Sequence, residues 1–168
     1  MDSGVDTIEL KNVKGLEKYL FYSATKEGKI LSKRRNKICD TRIANGNETV
    51  ILYSKEKGRT FRVDDIISRC FLKAPLSDEI IIHKNGYKMD NRLENLVLLK
   101  TNNYLENNYG GSWKKLEDKK INGEYYISSK GKIWSKYNDI LISSRMHNGS
   151  IAVGLGNPPK FRTVHRLV

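Results

Sequence analysis

Apolar and polar positions alternate along most of the chain in short runs separated by Gly and Asn, the pattern of half-buried strands joined by tight turns. This period of two predicts strands over 19–24, 29–33, 37–43 and 49–53, and again over 124–128, 132–136, 140–145 and 150–155. Asp64-Asp65-Ile66-Ile67-Ser68-Arg69-Cys70-Phe71 departs from it. Acidic residues precede an apolar face there and Pro75 lies beyond its end, so a short helix is expected. Between the two sets of strands, 79–83 reads as a strand, Lys84-Asn85-Gly86 as a turn, 96–99 as a second strand and 102–108 as a short helix, a ββα order. Gly110-Gly111-Ser112 then reads as a hinge.

The two sets of strands share residues as well as rhythm. Gly28-Lys29-Ile30-Leu31-Ser32-Lys33 recurs as Gly131-Lys132-Ile133-Trp134-Ser135-Lys136, and Asn45-Gly46 recurs at the same offset as Asn148-Gly149. Val50-Ile51-Leu52 has a counterpart in Val153-Gly154-Leu155, and Phe61-Arg62-Val63 is matched to Phe161-Arg162-Thr163-Val164 across a short deletion. The fold class is therefore α+β, with two small β-rich modules. The first spans 12–72 with its helix, a ββα unit spans 73–109, and the second module spans 113–168.

A chain of 168 residues with 38% hydrophobic content can hold one ordinary domain or two small ones. Its net charge of +12 points to an anionic partner, nucleic acid first, because clustered Lys and Arg gain affinity by displacing counterions from phosphates. A basic, solvated surface without a fixed partner is the plainer alternative. Residues 1–110 carry 20 basic and 15 acidic side chains, leaving +5, whereas 111–168 carry 11 and 4, leaving +7 in about half the length. No apolar run approaches the ~18–20 residues that span a bilayer, so no membrane partner is expected. The opening residues lack the basic start and apolar core of a secretory signal, so an intracellular location is expected. Cys39 and Cys70 lack CxxC spacing and read as reduced thiols. Abundant Lys, Asn, Ile and Tyr suggest an AT-rich source such as a phage, large virus or mobile element.

The stretch Ile82-His83-Lys84-Asn85-Gly86-Tyr87-Lys88-Met89-Asp90-Asn91-Arg92-Leu93-Glu94-Asn95-Leu96 sets a histidine at a strand end before a polar turn. Alone, it reads as an edge histidine and a common loop triplet. In context it resembles the HNH homing endonucleases carried by phage introns and large DNA viruses. Their pattern is a β-rich YYxVSNxGRVxS module, a helix opening VHRLV, and then NHxDGNKxNNxxENLxWVTxxEN. Tyr22-Ser23 with Gly28 to Ser32 resembles the module, and Tyr125-Tyr126-Ile127-Ser128-Ser129-Lys130-Gly131-Lys132-Ile133-Trp134-Ser135 does so more closely. Val164-His165-Arg166-Leu167-Val168 repeats VHRLV, which implies that the second module ends in a truncated basic helix.

The resemblance implies an HNH-like unit of the ββα-metal type over 73–109, with His83 as the general base and Asn95 as the asparagine that helps to hold it. Phosphodiester hydrolysis asks for such a base, a Lewis acid near the leaving oxygen and donors on the phosphate. The family's metal ligands fall on Ile82 and Tyr104, and neither suits magnesium, so no metal-binding residue is expected. VHRLV of the first helix falls on Val63-Asp64-Asp65-Ile66-Ile67, two carboxylates where a His-Arg pair would face phosphate.

The expected contacts with double-stranded DNA are Lys33, Arg34, Arg35, Lys136, Arg145, His165 and Arg166, with Lys84, Lys88 and Arg92 beside His83. Three readings follow. The first is a DNA-binding protein derived from an HNH homing endonuclease and catalytically inactive, without a cofactor. The second is an active nuclease that uses Mg2+. The third is a structural or scaffolding protein of a virion or assembly.

Overall fold

The computed structural model describes residues 6–55, 57–118, 120–156 and 158–168. Two compact units divide the chain, Met1–Leu99 and Lys100–Val168. The architecture is mixed α+β, with antiparallel sheets and two α-helices among the described residues.

In the first unit, strands β1 (Thr7–Glu9), β2 (Tyr22–Thr25), β3 (Ile30–Ser32) and β4 (Lys37–Ile38) form a four-stranded sheet in that order. Strands β5 (Thr41–Ala44), β6 (Asn47–Ser54) and β7 (Lys57–Arg62) form a three-stranded meander. Helix α1 (Val63–Phe71) follows, then the hairpin β8 (Glu79–His83) and β9 (Leu96–Lys100). The helix closes the core because Val63, Ile66 and Ile67, at i, i+3 and i+4, share one face and are buried with Tyr19, Ala24, Val50 and Leu52. Asp64 is buried in the first turn. Its carboxylate accepts from the Asp65 N–H at 2.8 Å and the Arg62 Nε at 2.9 Å, so the first of the two carboxylates that stand in place of a His-Arg pair is turned inward and paired.

The second unit opens with α2 (Thr101–Tyr109). Strands β10 (Trp113–Lys115), β11 (Tyr125–Ser128), β12 (Ile133–Ser135) and β13 (Ile140–Ile142) make a four-stranded sheet in that order. A meander of β14 (Arg145–His147), β15 (Ser150–Leu155) and β16 (Lys160–Thr163) completes it. Ile121, Ile127, Ile133, Val153 and Leu155 fill one core. On β11 and β12, Tyr126 faces Trp134, and Tyr104 of α2 packs on the same indole. Where a truncated basic helix was expected, Val164–Arg166 makes a single 3-10 turn.

Equivalent bonds recur in both units. The Tyr22 hydroxyl accepts from the Tyr53 N–H at 3.2 Å, and the Tyr125 hydroxyl accepts from the Gly156 N–H at 2.9 Å. Asn45 and Asn148 adopt φ of 49° and 48°, the left-handed turn conformation that Asn tolerates.

Three expectations need correction. The strands expected over 37–43 and 140–145 are each broken in two, because the chain leaves one sheet for another at Cys39-Asp40 and at Ser143-Ser144. Strands β1, β7, β10 and β16 went unread, since charged residues such as Lys57, Arg59 and Arg62 mask their alternation. The third concerns the matched phenylalanines. Register pairs Val50 with Phe61 and Ile51 with Thr60, but pairs Gly154 with Phe161 and Val153 with Arg162. Phe161 therefore occupies the place of Thr60. A slip of one residue sends a side chain to the opposite face, so Phe61 packs on the core while Phe161 faces outward.

Candidate functional site

The β8–β9 hairpin presents His83 at the end of β8, where the apolar run Ile80 to Ile82 gives way to a polar turn. His83 is buried, and its Nε2 lies 3.0 Å from Oδ1 of the equally buried Asn91. The Asn91 amide nitrogen donates to Glu48 Oε2 at 2.6 Å, and Glu48 Oε1 accepts from the Thr41 hydroxyl at 2.6 Å. Because a carboxylate only accepts, the Asn91 NH2 must face Glu48 and its oxygen must face His83. His83 therefore carries hydrogen on Nε2.

Asn95 bonds the turn that follows His83, where its carbonyl accepts from the Lys84 N–H at 2.8 Å. Its Oδ1 accepts from the Asn85 N–H at 3.0 Å, and its Nδ2 donates to Asn85 Oδ1 at 3.0 Å and to the Asp90 carbonyl at 2.8 Å. It staples the hairpin turn, and Asn91 is the side chain that meets the His83 ring. Gly28 fixes Asn91 from behind. At φ +77°, a Cβ on Gly28 would meet the Asn91 carbonyl at 2.6 Å, and the Leu93 N–H donates to the Lys26 carbonyl at 2.8 Å. Asn91 was legible only as half of an Asp-Asn pair. Glu48, 43 residues away from its partner Asn91, had no local signal.

The surroundings of His83 do not fit a magnesium ion, which asks for several oxygen donors at short range. Ile82 offers none. Both oxygens of Asp90 are held by Arg92, at 2.8 Å each, and that pairing keeps the Asp90 carboxyl well below the usual carboxylate range. Tyr104 is committed elsewhere. Its ring packs on Trp134 and Tyr109, its hydroxyl donates to Asp139 at 3.3 Å, and burial, with the Asp139 charge, pushes its phenol above the ordinary value. Among the described residues no three His, Cys, Asp or Glu side chains cluster as metal ligands.

The expected DNA contacts fall into two groups. Several are already paired: Lys33 with Glu9, Arg92 with Asp90 and Glu94, and Lys84 with the Glu94 carbonyl at 2.7 Å. Lys136 lies 3.0 Å from Glu124. Burial opposes ionisation of Glu124, but hydrogen bonds from Lys115 and Lys136 outweigh it and hold that carboxyl below its ordinary value. Others stand on exposed rings or turns. The Arg34 guanidinium lies 3.9 Å from the Phe21 ring centre, Arg145 lies 4.7 Å from that of Phe161, and His165 and Arg166 are exposed on the last turn. Arg35 lines a groove with Arg42 in the first unit, and Lys88 is half-buried in the hairpin loop.

No protein-family model matches the chain, and no curated protein matches it in sequence. Among solved structures it is similar to the one described as "DNA binding and cleavage by the HNH homing endonuclease I-HmuI", with a TM-score of 0.52 and 23% identity. The fold is HNH-like. The match covers 61% of this chain and 56% of the endonuclease, so the chain spans little more than half the length of that protein.

Proposed function

We propose that the chain is a DNA-binding protein descended from an HNH-type nuclease and no longer equipped to cut. One observation carries this reading. The strand that ends in the retained histidine has isoleucine where a metal donor is needed, while the Asp90 carboxylate is locked to Arg92 and that of Glu48 is bonded to Asn91. The two units are read as copies of one DNA-binding module, supported by their shared strand order and by the tyrosine that clasps the end of the long strand in each. Segment 73–109 is read as the former ββα unit.

In this reading the affinity comes from phosphate contacts. Binding of a labelled duplex should weaken about a thousandfold between ~50 and ~200 mM salt if ~6 phosphates are neutralised. Arg145→Glu and Arg166→Glu should both weaken it, with little dependence on duplex sequence. Binding that ignored salt, or that survived both charge reversals, would overturn the reading.

One observation favours an active, magnesium-dependent nuclease instead: buried His83 is hydrogen-bonded through buried Asn91 to half-buried Glu48, the kind of support a working base requires. Cleavage assays separate the two.

A further inference from the structure

The outward face of each three-stranded sheet carries an aromatic ring laid across a glycine of the neighbouring strand. On β6–β7, Tyr53 faces Gly58, and a Cβ on Gly58 would stand 2.8 Å from the Tyr53 ring. On β15–β16, Phe161 faces Gly154, whose Cβ would stand 3.5 Å from the phenyl ring. A glycine beneath lets the ring lie down against the sheet instead of standing off it. Both rings keep much of their surface in solvent, 46% for Tyr53 and 37% for Phe161.

Cations flank both rings. Arg145 lies over Phe161, and the His147 ring stacks on it with 5.1 Å between centres and 12° between planes. Exposed Met146 and Ile151 occupy the same meander. Residues 140–168 contain no Asp or Glu at all. In the first unit, Tyr53 borders a groove of about 320 Å³ that Arg35, Arg42 and Asp40 also line, two cations against one carboxylate. Glu48, the acidic residue on β6, alternates to the other face and is taken up by Asn91.

We propose that these two faces are stacking platforms for unpaired bases of single-stranded DNA, the base lying on Tyr53 in the first unit and extending the His147–Phe161 stack in the second, with the arginines on the flanking phosphates. The inference rests on the DNA-binding reading and specifies the strand state. Phosphate contact alone would need the arginines but not the rings. In a duplex the faces of the bases are covered by their neighbours, so a ring lying flat on a sheet has nothing to stack on; an unpaired base offers one free face. Charge favours the same partner most clearly in the second unit, since a basic face without carboxylates suits a polyanion better than an apolar protein surface.

The test is anisotropy of the full chain with labelled oligothymidylate and with a labelled duplex of the same length, in one buffer. Phe161→Ala and Tyr53→Ala should each lower single-strand affinity roughly five- to a hundredfold, the range for losing one stacked base, and leave duplex affinity unchanged. Phe161→Tyr and Tyr53→Phe should retain single-strand binding, which rules out unfolding as the cause. The platform is overturned if the alanine variants bind the single strand as wild type does, if duplex binding falls equally, or if the duplex binds and the single strand does not. In that last case the DNA-binding reading stands alone. If neither binds, both fail together. Tighter binding of oligouridylate would overturn the assignment to DNA.

Discussion

Asn91 stands between His83 and Glu48, receiving the histidine N–H at 3.0 Å and giving its own amide to the carboxylate at 2.6 Å. The bond ties the β8–β9 hairpin to the start of β6, so hairpin geometry depends on a residue of the neighbouring sheet. Asn91→Ala leaves a buried imidazole N–H without an acceptor, which should cost about 1–3 kcal/mol in denaturant unfolding. Adding Glu48→Ala to Asn91→Ala should cost less than the sum of the two single changes, because they share one interaction.

Restoring the metal position in α2 is expected to damage the protein. Tyr104 packs against Trp134 and Tyr109 and bonds Asp139, so Tyr104→Asn removes a half-buried ring from an aromatic cluster. The expected loss is on the order of 2 kcal/mol, seen as a lower unfolding midpoint and without nicking activity gained. Ile82→Asp is the cleaner test of donor loss, since Ile82 is only partly buried.

The slipped register of the phenylalanines gives opposite expectations for one chemical change. Phe61 packs edge-on against buried Tyr19, 5.1 Å between ring centres, so Phe61→Ala should cost about 2–3 kcal/mol. Phe161 points outward, and Phe161→Ala should cost less than about 1 kcal/mol. Thermal melts of the two variants check this, and equal losses would put the register in doubt.

Much of the fold was legible because strand alternation and Asn-Gly turns are local signals. Ser150–Leu155 formed where the pattern placed it, as did the helix after Arg62. Sheet membership was not legible. Nothing in the run from Lys37 to Ile43 says that its two halves pair with different neighbours, since the side chains alternate through the break. At the site, His83 could be found from its setting at a strand end. Its partner could not, because Asn91 and Asn95 differ only in where the loop points them, and Gly28 and Glu48 set that from far away in sequence.

Cys70 supplies a pH test of the first core. Burial, with the Asp65 charge adding to it, pushes the Cys70 thiol from its ordinary 9.0 up to about 12. The folded state keeps a proton that the unfolded chain releases, so this group's contribution is intact below pH 9 and lost as pH rises from 9 towards 12. Thiol reagent at pH about 8 should label Cys70 only after denaturant is added. Unfolding midpoints should fall less steeply above pH about 9 in Cys70→Ala than in wild type.

The central claim, binding without cutting, is tested most directly by incubating the full chain with supercoiled plasmid in magnesium or manganese, while a mobility shift on the same sample confirms that the DNA is bound. His83 can polarise water, but the residues around it offer no place for the ion that would stabilise the leaving oxygen, an effect worth several kcal/mol and so about a thousandfold or more in rate. The account predicts shifted plasmid with no metal-dependent nicked product. Nicking that requires the metal and disappears in His83→Ala would contradict it and establish an active nuclease.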